Sequence, residues 1–132
     1  MSKIVNVTLV GVGGQGILLT SEILARTAAL AGLDVKKSEI HGMSQRGGSV
    51  SSQVRFGDCV HSPIIPDGES DILVSFEQLE AIRCVGLLKA DGKAVIDTRK
   101  IVPVTVSAGQ QPPVENQDEL LASLYQGRAT MV

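Results

Sequence analysis

The 132-residue chain has room for one domain and not for two full ones. Its 43% hydrophobic and 20% charged residues permit a real core and exclude a disordered chain. A formal net charge of -2, no basic block and 2% aromatic residues give nucleic acid little to hold.

With so few aromatics, Val, Ile, Leu and Ala must fill the core, which suits parallel strands covered by helices on both faces. Ile4-Val5-Asn6-Val7-Thr8-Leu9-Val10 reads as the first strand and ends at Gly11. This is no secretory apolar region, and no apolar run reaches the length of a membrane span. A cytoplasmic setting without membrane contact is therefore expected. A helix follows from about Gly14 or Gln15, with Ile17, Leu18, Ser21, Leu24, Ala25 and Ala28 as its inner stripe. Glu22 and Arg26 pair outside that stripe. Gly32 ends the helix and Val35 opens a second strand, completing a βαβ unit.

The polar, glycine-rich stretch Ser38 to Ser49 carries no periodicity. Val50, Val54 and Phe56 then alternate with Ser51, Gln53 and Arg55, as in a strand with one wet face. Gly57-Asp58 is expected to turn this strand into Cys59-Val60-His61-Ser62, a β-hairpin that leaves His61 solvated. Asp71 to Ser75 reads as a buried strand and Glu77 to Leu88 as a helix with Leu79, Ile82 and Leu87 inward. Asp91-Gly92 turns into the strand Ala94-Val95-Ile96. Pro103, Pro112 and Pro113 mark an irregular connection before a short helix at Asp118 to Tyr125. The final residues, Ala129 to Val132, read as a strand. The fold class is α/β: three layers, a mainly parallel sheet with an inserted hairpin, and a Rossmann-like start with Ile4 to Val10 central.

Two cysteines, Cys59 and Cys84, lack CxxC spacing, so a disulfide framework, a zinc site or an iron–sulfur cluster held by this chain alone finds no support. Both read as small buried hydrophobes in a reducing compartment. Gly11-Val12-Gly13-Gly14-Gln15-Gly16 matches G-x-G-x-x-G between a strand and a helix. In that context glycines permit close ligand approach, and free N–H groups at the helix start face an anion. A P-loop would need Lys and Ser/Thr where Ile17 and Leu18 stand, which argues against nucleoside triphosphate hydrolysis. A nicotinamide enzyme would need an acid at the end of the second strand; Glu39 is the candidate and falls late for that role. A third reading is plain helix–strand packing, with a vestigial loop on a scaffold domain.

In the polar stretch, His41, Ser44, Gln45, Arg46 and Ser49 supply donors on a backbone loosened by Gly42, Gly47 and Gly48, an anion-receptive composition. His41 reads as a loop or interface histidine rather than a general base, since no nucleophile with a carboxylate orienter accompanies it. Arg46 suits either a bidentate clamp on a phosphate or carboxylate or an inter-subunit salt bridge. Glu77 reads as a first-turn carboxylate favoured by the helix dipole rather than a ligand at the sheet edge. Glu80 and Arg83 pair locally.

Three blocks taken together carry a resemblance. Val10 to Gly16, then Arg46-Gly47-Gly48 with a strand ending Val54-Arg55-Phe56-Gly57, then Asp71 to Glu77, closely resemble the gamma-type subunit of the 2-oxoacid:ferredoxin oxidoreductases. His41-Gly42-Met43-Ser44-Gln45 is most similar to the indolepyruvate branch. The resemblance spans most of the chain, read as one domain over residues 1–132. That family's subunit continues for another helix-rich third, so the chain is expected to be truncated and to expose apolar surface that associates with itself or a partner.

The resemblance implies an accessory subunit in the CoA-dependent oxidative decarboxylation of a 2-oxo acid, with ferredoxin as electron acceptor. Thiamine diphosphate, Mg and iron–sulfur clusters are expected on partner subunits, with no catalytic or metal-ligating residue in this chain. The binding or interface residues expected here are Gly11, Gly13, Gly14, Gln15, Gly16, His41, Ser44, Gln45, Arg46, Gly47, Gly48 and Ser49.

Overall fold

Strand β1, Ile4–Val12, is buried from Asn6 onward, and its side chains serve both faces of a sheet. Val7 and Leu9 join one apolar cluster and Val10 the other, as strand alternation requires. The structure, a computed structural model, describes residues 3–41, 48–102, 104–110 and 112–132.

Helix α1, Ile17–Leu30, lies on the Val7–Leu9 face, with Ile17, Ser21 and Ala28 buried and Leu18, Leu24 and Ala25 packed beside them. Gly32 at φ +85° lets Leu33 N–H return to the Ala28 carbonyl, a conformation in which glycine bears no Cβ penalty. Strands β2 (Asp34–His41), β3 (Ser49–Gly57) and β4 (Ser70–Ser75) follow. Helix α2 (Gln78–Arg83), a 3-10 turn (Val85–Leu87) and strand β5 (Leu88–Ile96) come next. The chain then forms α3 (Val104–Ser107), α4 (Gln117–Tyr125) and β6 (Ala129–Met131).

The six strands are ordered β2-β3-β1-β4-β5-β6. The β1–β4, β4–β5 and β5–β6 pairs are parallel, and β3 runs against both its neighbours. On the face opposite α1, Leu73, Ala94 and Ile96 pack with Ala81 of α2 and with Leu121 and Tyr125 of α4. The Tyr125 hydroxyl donates to the Ala81 carbonyl, locking α4 to α2. Helix, sheet and helix layers with β1 inside the sheet match the expected α/β class.

Local elements differ from expectation in three places. The antiparallel partner of β3 on its outer side is β2, in register Asp34↔Gly57 to His41↔Val50; residues 59–62 form no strand. Gly57 makes no turn here. A Cβ on it would lie 2.3 Å from the Lys3 carbonyl oxygen, so glycine is needed for close strand approach. The side chains read as the wet face of β3 hold the crossing segment instead. Gln53 Oε1 accepts from Ile65 N–H, and Arg55 Nη1 donates to the Ser62 and Ile64 carbonyls. Asp34 accepts from Val60 N–H, which with Lys36 holds its carboxyl below the usual range. Polar side chains thus replace a ladder, meeting the demand that buried backbone groups be paired. Second, the β1-α1-β2 unit is split, because β3 occupies the place beside β1. Third, the helix expected over Glu77 to Leu88 gives way to a 3-10 turn after Cys84, and β5 starts at Leu88. Gly92 then lies inside that strand; a Cβ there would meet Leu88 Cδ1 at 2.6 Å.

Glu22 of α1 joins Arg26 and Lys37 of β2, and Lys37 also pairs Glu39. Hydrogen bonds from Lys37 and Arg26 bring the Glu22 carboxyl down to about 2. Helix α1 covers only the β1, β2 and β3 side of its face. Over β4 and β5 that face leaves Ile72 at 37% and Val95 at 39% exposure, where an α/β sheet ordinarily carries a helix. The chain is expected to bind the dye ANS at micromolar concentration, and Ile72→Ser with Val95→Thr should cut the fluorescence enhancement by about half. Unchanged emission in the double variant would place the apolar patch elsewhere.

Candidate functional site

From β1 the chain leaves through α1 on one face and reaches β2; from β4 it leaves through α2 on the other face and reaches β5. The adjacent carboxyl ends of β1 and β4 therefore bound a crevice where the connections diverge, the place where α/β sheets bind ligands. The glycine loop lies there.

Gln15 spans the crevice. Its Oε1 accepts from Val12 N–H at 2.8 Å and its Nε2 donates to the Phe76 carbonyl at 2.8 Å. A Cβ on Gly11 would stand 2.6 Å from Ile17 Cδ1 and 2.8 Å from Gln15 Oε1 and would displace both side chains. Gly14 and Gly16 adopt φ +95° and +84°, and Gly16 caps α1 without a side-chain hydrogen bond. The first helical bond runs from Thr20 N–H to the Gly16 carbonyl, which leaves the N–H groups of Ile17, Leu18 and Leu19 without helical acceptors. No acidic residue sits in that first turn. These donors border a cleft of about 320 Å³ lined by Val12, Gly13, Gly14, Gly16, Ile17, Leu18, Leu19 and Val50. Uncharged donors at an open helix N-terminus between apolar walls make an anion-receptive surface.

Two ties reach the end of the polar stretch. Gly13 N–H donates to the Gly48 carbonyl at 2.9 Å, and Ser49 Oγ donates to Glu80 Oε1 at 2.8 Å. Glu80, 6% exposed, also accepts from Arg83 Nη1. Its own N–H goes to Glu77 Oε1, while Glu77 Oε2 accepts from Ile101 N–H. Glu77 is thus the buried N-cap of α2 and not a ligand group at the sheet edge. The structure brings Gly11, Gly13, Gly14, Gln15, Gly16, Gly48 and Ser49 to one end of the sheet. His41 closes β2, whereas Ser44, Gln45, Arg46 and Gly47 lie outside the described residues.

Sequence reasoning missed the Ser49–Glu80 tie, which joins residues 31 positions apart and has no local signal. Glu77-x-x-Glu80 did carry a visible sign, an N-cap acceptor three residues before another acid. The thiols part company. Cys84 is half-buried, and burial followed by the Glu80 charge pushes its thiol up to about 11, so it is neutral at physiological pH. Cys59 is exposed beside His61, against the expectation of a buried residue, because its segment crosses the surface instead of forming a strand. Among the described residues, no three His, Cys, Asp or Glu side chains are placed to hold a metal ion, and no helix is long and apolar enough to cross a membrane.

Glu39 has no place in this site. It pairs Ser52, which pairs Leu9, so it stands level with mid-β1. Two strand spacings, about 10 Å, separate β2 from β1, and Lys37 holds the Glu39 carboxylate at 2.9 Å.

Fold and site define a three-layer α/β domain with a glycine loop at its topological switch point. The chain belongs to the pyruvate ferredoxin/flavodoxin oxidoreductase family, which matches residues 6–129. It is 47% identical over 119 residues to the indolepyruvate oxidoreductase subunit IorB of Archaeoglobus fulgidus, covering 90% of this chain and 58% of that protein. Among solved structures it resembles the gamma subunit of a keto/oxoacid ferredoxin oxidoreductase from Geobacter sulfurreducens (TM-score 0.59, 22% identity, 97% of this chain and 59% of that one). A 2-oxoglutarate:ferredoxin oxidoreductase from Magnetococcus marinus, solved with 2-oxoglutarate, coenzyme A and succinyl-CoA bound, superposes with TM-score 0.65 at 17% identity, over 94% of this chain and 27% of that one. The chain thus spans less than two thirds of these relatives.

Replacing Gln15 by Ala strands one donor and one acceptor at the crevice and should destabilise the fold by about 2 kcal/mol or more. Urea denaturation with an unchanged m value is the measurement. A loss below about 0.5 kcal/mol would mean that water replaces the amide at no cost.

Proposed function

We infer that the chain acts as an accessory, gamma-type subunit of a cytoplasmic 2-oxoacid:ferredoxin oxidoreductase that takes indolepyruvate or a similar aryl-pyruvate. The observation that carries this reading is the uncapped start of α1 at the switch point, tied through Gly13 and Gly48 to the polar stretch.

In the proposed reaction the bond between the carboxylate carbon and the 2-oxo carbon breaks and carbon dioxide leaves. The acyl group passes to the sulfur of CoA, whose thiol proton is released to solvent, and the two electrons left by the departing carbon dioxide reduce ferredoxin. Thiamine diphosphate with Mg, and the iron–sulfur clusters, belong to catalytic partner subunits. The contribution of this chain is binding. Backbone donors at the start of α1, those of Ile17, Leu18 and Leu19, in a loop shaped by Gly11, Gly13, Gly14, Gln15 and Gly16, meet a phosphate-bearing ligand or a partner surface. The donors of His41, Ser44, Gln45 and Arg46 complete that face, beside Gly47 and Gly48, and Ser49 ties the end of the stretch to Glu80. The described lining of the cleft has no cation, so Arg46 is the residue that supplies charge.

In the reconstituted complex, Arg46→Ala should raise the Michaelis constant for CoA at normal assembly. Arg46→Lys should be nearly as damaging, because the planar fork is lost although the charge remains. Each change should cost on the order of 2 kcal/mol. Turnover against CoA concentration, with gel filtration for assembly, decides: failed assembly points to an interface residue, and wild-type behaviour removes Arg46 from the site.

A nicotinamide-dependent dehydrogenase is the competing reading, and the position of Glu39 argues against it. The isolated chain should lack oxidoreductase activity and give no saturable NAD signal in calorimetry. Stoichiometric NAD binding weakened by Glu39→Ala would restore the dehydrogenase.

A further inference from the structure

We propose that the outer edge of β2 pairs antiparallel with the same edge of a second copy of this chain, about a two-fold axis at Ser38. Among the described residues no strand lies beyond β2, and an edge of eight residues offers a row of backbone donors and acceptors for strand addition.

The ladder fixes which residues make that offer. Gly13 N–H bonds to the Gly48 carbonyl, so the even-numbered residues of β3 exchange hydrogen bonds with β1. Antiparallel alternation then turns its odd-numbered residues toward β2. In the β2–β3 register these meet Lys36, Ser38 and Ile40. Val35, Lys37 and Glu39 therefore present their N–H and C=O groups outward.

Charge then selects one register. A two-fold axis perpendicular to the sheet keeps each face continuous, so a residue meets one of the same face in the second copy. Centring on Lys37 or Glu39 sets like charges directly opposite, which destabilises a pair. Centring on Ser38 sets Lys37 opposite Glu39 twice, within a hydrogen-bonded pair, and lays the Lys36 stem beside Ile40, which is 62% exposed. Edge lysines ordinarily repel strand addition. Here both are already neutralised within the chain, Lys36 by Asp34 and Lys37 by Glu22 and Glu39.

Sedimentation velocity of the full chain at micromolar concentration should reveal a dimer. Lys37→Glu and Glu39→Lys should each weaken it at least tenfold, and the double exchange should recover most of the loss. In a Cys59→Ser background, Ser38→Cys should crosslink under mild oxidation, since opposed residues of a non-hydrogen-bonded pair lie about 4.5 Å apart between Cα atoms. Lys36→Cys should not crosslink. A monomer at all concentrations, a dimer indifferent to the charge exchange, or equal crosslinking at Lys36 and Ser38 would each overturn the pairing. Circular dichroism of the variants separates unfolding from lost association, and the Ser38→Cys result stands even where a charge variant misfolds.

Discussion

The nine-residue antiparallel match of β1 with β3, Ile4↔Gly57 through Val12↔Ser49, is the constraint on which the rest of the molecule turns. It sets Val7 against Val54 and carries Val50 beside Gly11 at the loop end, and the three valines share one apolar cluster with Ile17. Each fully buried aliphatic of this kind stabilises by about 1.5–3 kcal/mol. A slip of one residue would turn every such side chain to the opposite face. The same pairing pushes β2 outward, leaves β1 free to accept β4 on its other side, and puts the switch point where the glycine loop emerges.

That geometry also sets the character of the surface beside the glycine loop. The donors at the start of α1 are neutral, and the walls are aliphatic. Such a surface meets an anion with the partial positive charge of a helix start, while its apolar walls oppose the ion's desolvation. Gln15 keeps this arrangement rigid by closing the crevice with one amide that donates and accepts at once, a pairing a carboxylate cannot reproduce.

Much of this was legible in the sequence. The strand–glycine–helix start, the α1 stripe, the pairings of Glu22 with Arg26 and of Glu80 with Arg83, and the short helix ending at Tyr125 all rest on local periodicity and short contacts. The glycine loop was legible as a site candidate for the same reason. What escaped depends on residues far apart. Gly57-Asp58 has the composition of a turn, yet Gly57 answers to the backbone of Lys3. Gln53 and Arg55 alternate like a wet face, yet they hold a crossing segment whose own residues give no sign of needing them. The Ser49–Glu80 tie and the insertion of β3 between β1 and β2 were hidden likewise, since pairing order is a tertiary choice that strand composition does not encode.

The bond from Tyr125 to the Ala81 carbonyl has an optical side. This is the one tyrosine in a chain without tryptophan, and its buried phenol sits where α4 meets α2. Tyrosine absorbance and tyrosine emission of this chain consequently originate at a single helix junction. A spectroscopist following unfolding by that emission watches α4 lift from α2, while the glycine loop across the sheet stays dark. Any intermediate that frees the last helix first would be visible in this signal, and one that opens α1 first would pass unseen.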